Sequence, residues 1–222
     1  MDLEQFINKK YLSKGQTSVC YLLNDNTVLK IFNDSMNTNK IDKFKYFQKY
    51  SNSSFVFPFE FIQHNDIFLG YISEFVAGKK LRDVFYDSNL TTMSEKSYKL
   101  ERNIDFVSTG KIIIEDFSSD NVIYNNEFKV IDPDCYTIIN DYGVDDIKKL
   151  NHKIYKDVIL NLIVLPYIKK REKYKFIIDR TNYYRDKDIK VSELILNFKD
   201  DLEKYYKEEI YTMNGFNKIL RR

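Results

Sequence analysis

The chain has 222 residues, 43% of them apolar, with 17 Phe and 18 Tyr, which is enough for one large core or two small lobes sharing a cleft. Its 35 Lys and Arg nearly balance 33 Asp and Glu, leaving a formal net charge of +2, so neither nucleic acid nor an anionic membrane is expected as the main partner. Cys20 and Cys135 lie far apart with no metal-ligand spacing and are expected as reduced thiols.

The opening MDLEQFINKK holds two acids and no apolar stretch, so no secretory leader is expected. Residues 11–22 read as a strand, a small-residue turn around Gly15 and a returning strand. A further strand, Val28-Leu29-Lys30-Ile31-Phe32, carries a lysine inside an apolar run. An unpaired ammonium there is costly, so Lys30 either meets a specific anion or snorkels to water from an edge strand. Ile41, Phe44 and Phe47 recur at three-residue spacing and predict a helix over 38–50. Strands are expected over 55–63 and 67–76, around the turn His64-Asn65-Asp66. Gly78 ends the second, and a helix is expected from near Leu81.

The segment 112–134 (IIIEDFSSDNVIYNNEFKVIDPD) places Asp116, Asn121 and Asp132 at fixed offsets between apolar runs. Val122-Ile123-Tyr124, the turn Asn125-Asn126 and the run 128–131 predict a hairpin. That hairpin would hold all three oxygen-bearing side chains at one end of a small sheet. Hard oxygen ligands grouped this way suit Mg²⁺, which takes one or two protein side chains plus phosphate oxygens. Standing alone, the same residues are also ordinary for a turn.

Downstream, Ile147, Leu150, Ile154 and Val158 predict a helix over 144–165, and a second amphipathic helix is expected over 191–211 with a solvated charged face. The longest apolar run, 158–168, contains Asn161 and Pro166. It is too short to cross a bilayer and reads as a buried helix ending before Pro166. His64 and His152 sit in no metal or triad spacing, and no Ser/His/Asp or Cys/His arrangement favours acyl transfer.

Taken in order, the lysine strand, the segment 67–85 (IFLGYISEFVAGKKLRDVF) and the acidic hairpin resemble the protein-kinase-like superfamily. Asp116 and Asn121 match the D-x-x-x-x-N of its catalytic loop, and Asp132 matches the aspartate of its D-F-G. Val28-Leu29-Lys30 is similar to V-A-I-K with one residue missing. Glu74-Phe75-Val76 resembles the hinge, and Ser13, Gly15 and Ser18 stand where the glycine loop keeps its three glycines.

The resemblance implies an α+β, bilobal fold. An antiparallel-sheet lobe with one helix would span 1–77, and a shortened, mainly helical lobe would span 78–222. It implies ATP and Mg²⁺ as cofactors. Lys30 would hold the α- and β-phosphates, and Ser13, Gly15 and Ser18 would cover them. Backbone groups of Glu74, Phe75 and Val76 would meet the adenine. Asn121 and Asp132 would hold the metal, and Asp116 would act as catalytic aspartate toward a hydroxyl acceptor. A Ser/Thr of a protein is slightly favoured as acceptor over a small molecule of the aminoglycoside or choline type, and a pseudokinase scaffold is the alternative. Both cysteines would flank the nucleotide cleft, and a cytoplasmic protein of bacterial or viral origin is expected.

The chain departs from the family in several places. Ile114 and Glu115 replace the histidine and arginine of H-R-D, and Ser118 stands where protein kinases keep a lysine. Asp132-Pro133-Asp134 replaces D-F-G. Proline is expected to hold Asp132 extended in a single pose, and Asp134 is either an accessory ligand or a turn carboxylate. The 38–50 helix has no glutamate to partner Lys30, which leaves Asp42 or Gln48, and no A-P-E signature follows.

Overall fold

The computed structural model describes residues 9–36, 39–65 and 67–221. The expected helix start at Thr38, the turn residue Asp66 and most of the opening segment lie outside them. Five strands form one antiparallel sheet: β1 (Lys10–Lys14), β2 (Ser18–Asn24), β3 (Thr27–Met36), β4 (Glu60–His64) and β5 (Ile67–Glu74), in the order β1-β2-β3-β5-β4. Side chains alternate across the pleat. Leu29, Ile62 and Ile72 therefore bury one face in a small cluster of their own. Lys30 and Phe32 point to the other face, with Phe68 and Tyr71.

That second face is covered by α1 (Asn39–Gln48), whose Ile41, Phe44 and Phe47 sit one turn apart and are buried. The Phe44 ring meets Phe68 and Tyr71 at centroid distances of 6.0 and 5.3 Å, which fixes the helix across the centre of the sheet.

The strand expected over 55–63 begins only at Glu60. Before it, Phe55 makes a single parallel bridge to Val130 and Val56 donates its amide to Val130 O at 2.9 Å, so this stretch crosses under the hairpin instead of extending the sheet. The strand after the 64–66 turn ends at Glu74. Lys79–Lys80 (β6) then pairs with the hairpin, and the helix expected near Leu81 is one turn, α2 (Leu81–Val84).

The long helix is α3 (Leu90–Thr109), started by Asn89, whose side chain accepts the amides of Thr91 and Thr92. It leads into β7 (Ile112–Ile113). The predicted hairpin follows as β8 (Val122–Asn125) and β9 (Glu127–Val130), with Asn126 in the left-handed region at φ 60°. After a 3₁₀ turn at Pro133–Cys135, β10 (Thr137–Ile138) pairs with β7.

Next come α4 (Val144–Val164), α5 (Lys175–Asp186) and α6 (Val191–Tyr206). The last stops five residues before the expected 211, where Lys207 turns left-handed at φ 55°. A short α7 (Met213–Ile219) follows, capped by Thr212. One hydrophobic cluster runs from Phe32 under α1 through Tyr136 to Phe216, so sheet and helices share a core. Among the described residues no helix is long and apolar enough to cross a membrane.

Candidate active site

Lys30 sits mid-strand with Cys20 and Tyr71 as cross-strand neighbours. Its side chain is 8% exposed, so the ammonium needs a counter-charge. It finds two. Nζ bonds Asp132 Oδ1 and lies 2.6 Å from Asp134 Oδ2, both in the chain that leaves β9. The Tyr71 hydroxyl donates to Asp134 Oδ1 at 2.9 Å.

Burial opposes the charge on Lys30, but the carboxylates of Asp134 and Asp132 outweigh it and raise its pKa. One ammonium cannot fully neutralise two carboxylates, however. Burial, and Asp132 beside it, push Asp134 above the ordinary carboxylate value in spite of Lys30 and Tyr71. Tyr71 is driven well up by burial first and then by Asp134, so it stays a neutral donor.

The expected extended pose of Asp132 is corrected by the structure. Its backbone is left-handed at φ 65°, ψ 66°, directly before Pro133. For a residue other than glycine that conformation costs on the order of 1–3 kcal/mol and persists where the surroundings over-determine it. Here the Lys30 ion pair and the buried Tyr136 ring, packed against Phe47, Phe55 and Phe57, hold the turn on both sides. Neither candidate for the helix partner of Lys30 serves. Gln48 donates to Pro58 O at 2.5 Å, Asp42 is exposed, and Asp134 supplies the second carboxylate.

Asp116 and Asn121 meet at the foot of the hairpin. Asn121 Nδ2 donates to Asp116 Oδ2 at 3.0 Å and to Asp116 O at 3.1 Å. Its backbone carbonyl accepts Ile131 N at 2.9 Å, tying the Asp116 loop to the residue before Asp132. Beneath this loop lies a residue that sequence reasoning passed over. Asn151, on α4 and 1% exposed, accepts Ile114 N at 2.9 Å and donates to Ile112 O and Ser108 Oγ at 2.8 and 2.9 Å. One of two Asn inside the helical pattern of 144–165, it has no other sequence signal.

A cavity of about 310 Å³ opens between the sheet and the hairpin. Ser13, Lys30, Glu74, Phe75, Val76 and Asp132 line it, with apolar walls from Val28, Ile123 and Ile131. Gly15, Ser18, Asp116 and Asn121 are not in its lining. Ser18 is buried, and the Gly15 amide is spent on Ser18 O at 2.8 Å. Cys20 stands opposite Ser13 across β1 and β2, and its thiol pKa is raised chiefly by burial. Of the backbone groups expected to face an adenine, the Phe75 amide is already committed to Asn26 O at 2.8 Å. Cys20 lines this cavity as expected, whereas Cys135 is exposed in the 3₁₀ turn and does not. A larger cavity of about 730 Å³ lies between α4 and the α5–α6 connection, among lysines. None of the expected site residues reaches it.

Among the described residues no three His, Cys, Asp or Glu side chains make a self-sufficient metal cage. The carboxylate that lines the smaller cavity is that of Asp132, 35% exposed, whereas Asp134 Oδ2 is buried on the Lys30 ammonium and Asp134 lies outside that lining. A single hard carboxylate fits Mg²⁺ whose shell is completed by phosphate oxygens.

No family model matches the chain, and no curated protein matches its sequence. Among solved structures, the kinase PK-1 of Cydia pomonella granulovirus aligns at 17% identity with a TM-score of 0.48. The alignment spans 62% of this chain and 56% of that kinase.

Proposed function

We propose that the chain is an ATP- and Mg²⁺-dependent phosphotransferase of the protein-kinase-like kind, acting on a hydroxyl acceptor, with a protein Ser/Thr favoured. In this reading residues 1–77 and 78–222 are its two lobes and it works in the cytoplasm. The observation that supports it most is the meeting of Lys30, from the centre of the sheet, with Asp132, from the hairpin, at a cavity lined by Glu74, Phe75 and Val76.

Nucleotide would enter the 310 Å³ cavity with its base against Val28 and Ile123 and its phosphates toward Lys30. The ammonium would then exchange part of its contact with Asp132 and Asp134 for α- and β-phosphate oxygens. Asp132 and the Oδ1 of Asn121 would hold Mg²⁺, which when bound neutralises charge on the β- and γ-phosphate oxygens. Asp116, exposed and steadied by Asn121 Nδ2, would accept a hydrogen bond from the acceptor hydroxyl. As the acceptor oxygen bonds to the γ-phosphorus, the bond to the β,γ-bridging oxygen breaks and ADP leaves. The hydroxyl proton passes late to Asp116. Placement and charge neutralisation supply most of the rate.

The test is a melting curve with and without millimolar MgATP, for the parent chain, Asp132→Ala and Asp116→Ala. The parent should gain stability, Asp132→Ala should lose that gain, and Asp116→Ala should keep it while losing transfer of labelled phosphate. An unchanged parent curve overturns this reading in favour of a nucleotide-free scaffold.

A further inference from the structure

Among the described residues, the helix α1 hydrogen-bonds the turn after β9 through one side chain, and it is a cation. Lys43 Nζ donates to the backbone carbonyls of Asp134 at 2.8 Å and Tyr136 at 2.9 Å. The resemblance would have this helix offer a glutamate to Lys30. In this chain the polarity is reversed: the turn supplies both carboxylates to Lys30, and the helix supplies an ammonium to the turn.

The contact costs Lys43 part of its hydration. Burial lowers its pKa, and Lys40 nearby adds to the effect, while Asp134, Cys135 and Glu115 oppose it from a distance. An ammonium kept there on two neutral carbonyls must be compensated by what it holds. What it holds is the backbone two and four residues after Asp132, the residue in the left-handed pose before proline. Among the described residues, no other group outside residues 132–136 hydrogen-bonds the backbone of that stretch; its remaining bond, Tyr136 N to Pro133 O at 3.1 Å, is internal.

We propose that Lys43 is a positioning residue. By gripping the carbonyls on either side of Cys135, it keeps the Asp132 and Asp134 carboxylates on Lys30 and Asp132 at the cavity wall. It also ties α1 to that turn, so helix and turn move as one unit. This goes beyond the phosphotransferase reading and rests on it only for the metal arm of the test.

The first arm needs no ligand. Hydrogen–deuterium exchange is followed over residues 131–139 in the parent, Lys43→Met and Lys43→Arg chains. Lys43→Met should speed exchange of the Tyr136 and Ile139 amides by about tenfold, a lost local hydrogen-bond pair, while Lys43→Arg stays close to the parent. If Lys43→Met does not fold, Lys43→Gln, which keeps a donor without the charge, should give an intermediate rate. The second arm reads the magnesium concentration that half-saturates the ATP-induced melting shift. Lys43→Met should raise it about tenfold, as outer-shell partners of metal ligands do, with ATP half-saturation at excess Mg²⁺ unchanged and Lys43→Arg restoring it.

Parent-like exchange in Lys43→Met overturns the proposal. So does a rise in ATP and Mg²⁺ requirements together, which a merely structural residue would give. If the parent itself ignores MgATP, the phosphotransferase reading fails and the exchange arm alone still decides the role of Lys43.

Discussion

Asp134 Oδ2 lies 2.6 Å from Lys30 Nζ, closer than any residue of α1 comes with a carboxylate, and shares that ammonium with Asp132. Because burial and Asp132 raise the Asp134 pKa above its ordinary 3.8, the sign of its pH effect is set. The stability it contributes is present below 3.8 and is lost as the pH rises through the raised value. Asp134→Asn should therefore flatten the loss of stability between acid and neutral pH and melt at or above the parent at neutral pH, since its carbonyl still accepts from Tyr71. The MgATP shift should shrink. Thermal melts across that pH range check both.

Lys30→Met removes the one cation from two carboxylates. Stranding a buried partner costs about 3 kcal/mol, the low end of the usual range because Asp132 is partly exposed. The folded pKa of Lys30 is raised, so its stabilisation is fully present below 10.5 and is lost as the pH climbs through the raised value. The gap between parent and Lys30→Met in denaturant unfolding should thus shrink in acid, where the carboxylates are protonated, hold level from mildly alkaline pH up to 10.5, and narrow above it. A gap that widens with alkali would contradict the ion-pair account.

Much of this arrangement could be read from residue order. The alternation in β3 exposed Lys30 as an anomaly, and Asn125-Asn126 marked the hairpin turn that carries Asn126 at positive φ. What stayed hidden depended on contacts across the fold. The rule that proline extends the residue before it was overridden at Asp132 by ties to Lys30 and by Lys43 on the following carbonyls. Residues 55–59 have strand-like composition, yet Phe55 and Val56 pair with Val130 of the hairpin and Phe59 returns to the sheet at Ile72 O, which local pattern cannot reveal. The 20-residue α3 was blurred because polar residues stand on its buried face. Glu101 there is fully buried, and its carboxylate accepts Val191 N and the Ser192 hydroxyl at the start of α6. Leu90, Met93, Ser97, Leu100, Ile104 and Val107 keep the helical spacing once such a position is allowed.

Gly70 and Gly15 differ in what they permit. A Cβ at Gly70 would sit 2.0 Å from the Lys30 carbonyl oxygen, a backbone atom that cannot yield without bending β3. Gly70→Ala should cost about 3 kcal/mol and displace Lys30, weakening any nucleotide response along with the fold. At Gly15 a Cβ would meet only ordinary contacts of 3.7 Å and φ is not positive. Gly15→Ala should leave stability unchanged or raise it by about 0.5 kcal/mol. Paired chemical unfolding curves separate the two, and equal losses would undo the close-approach argument.

Asn151 offers the sharpest separation of stability from binding. Its side chain bonds Ile114 N, Ile112 O and Ser108 Oγ at once and is 1% exposed. Asn151→Ala leaves Ile114 N and Ile112 O unsatisfied, while Ser108 Oγ keeps its bond to Ile104 O, and the loss should be about 3 kcal/mol. Ile114 is two residues before Asp116, so the same change loosens the base of the loop that presents that carboxylate. Asn151 hydrogen-bonds neither Lys30 nor Asp132 and does not line the cavity. At a temperature where the variant is still folded, the MgATP melting shift should therefore persist while phosphate transfer falls. Loss of both in equal measure would mean that the loop and the Lys30–Asp132 cluster are one cooperative unit, and that Asn151 supports the whole of it.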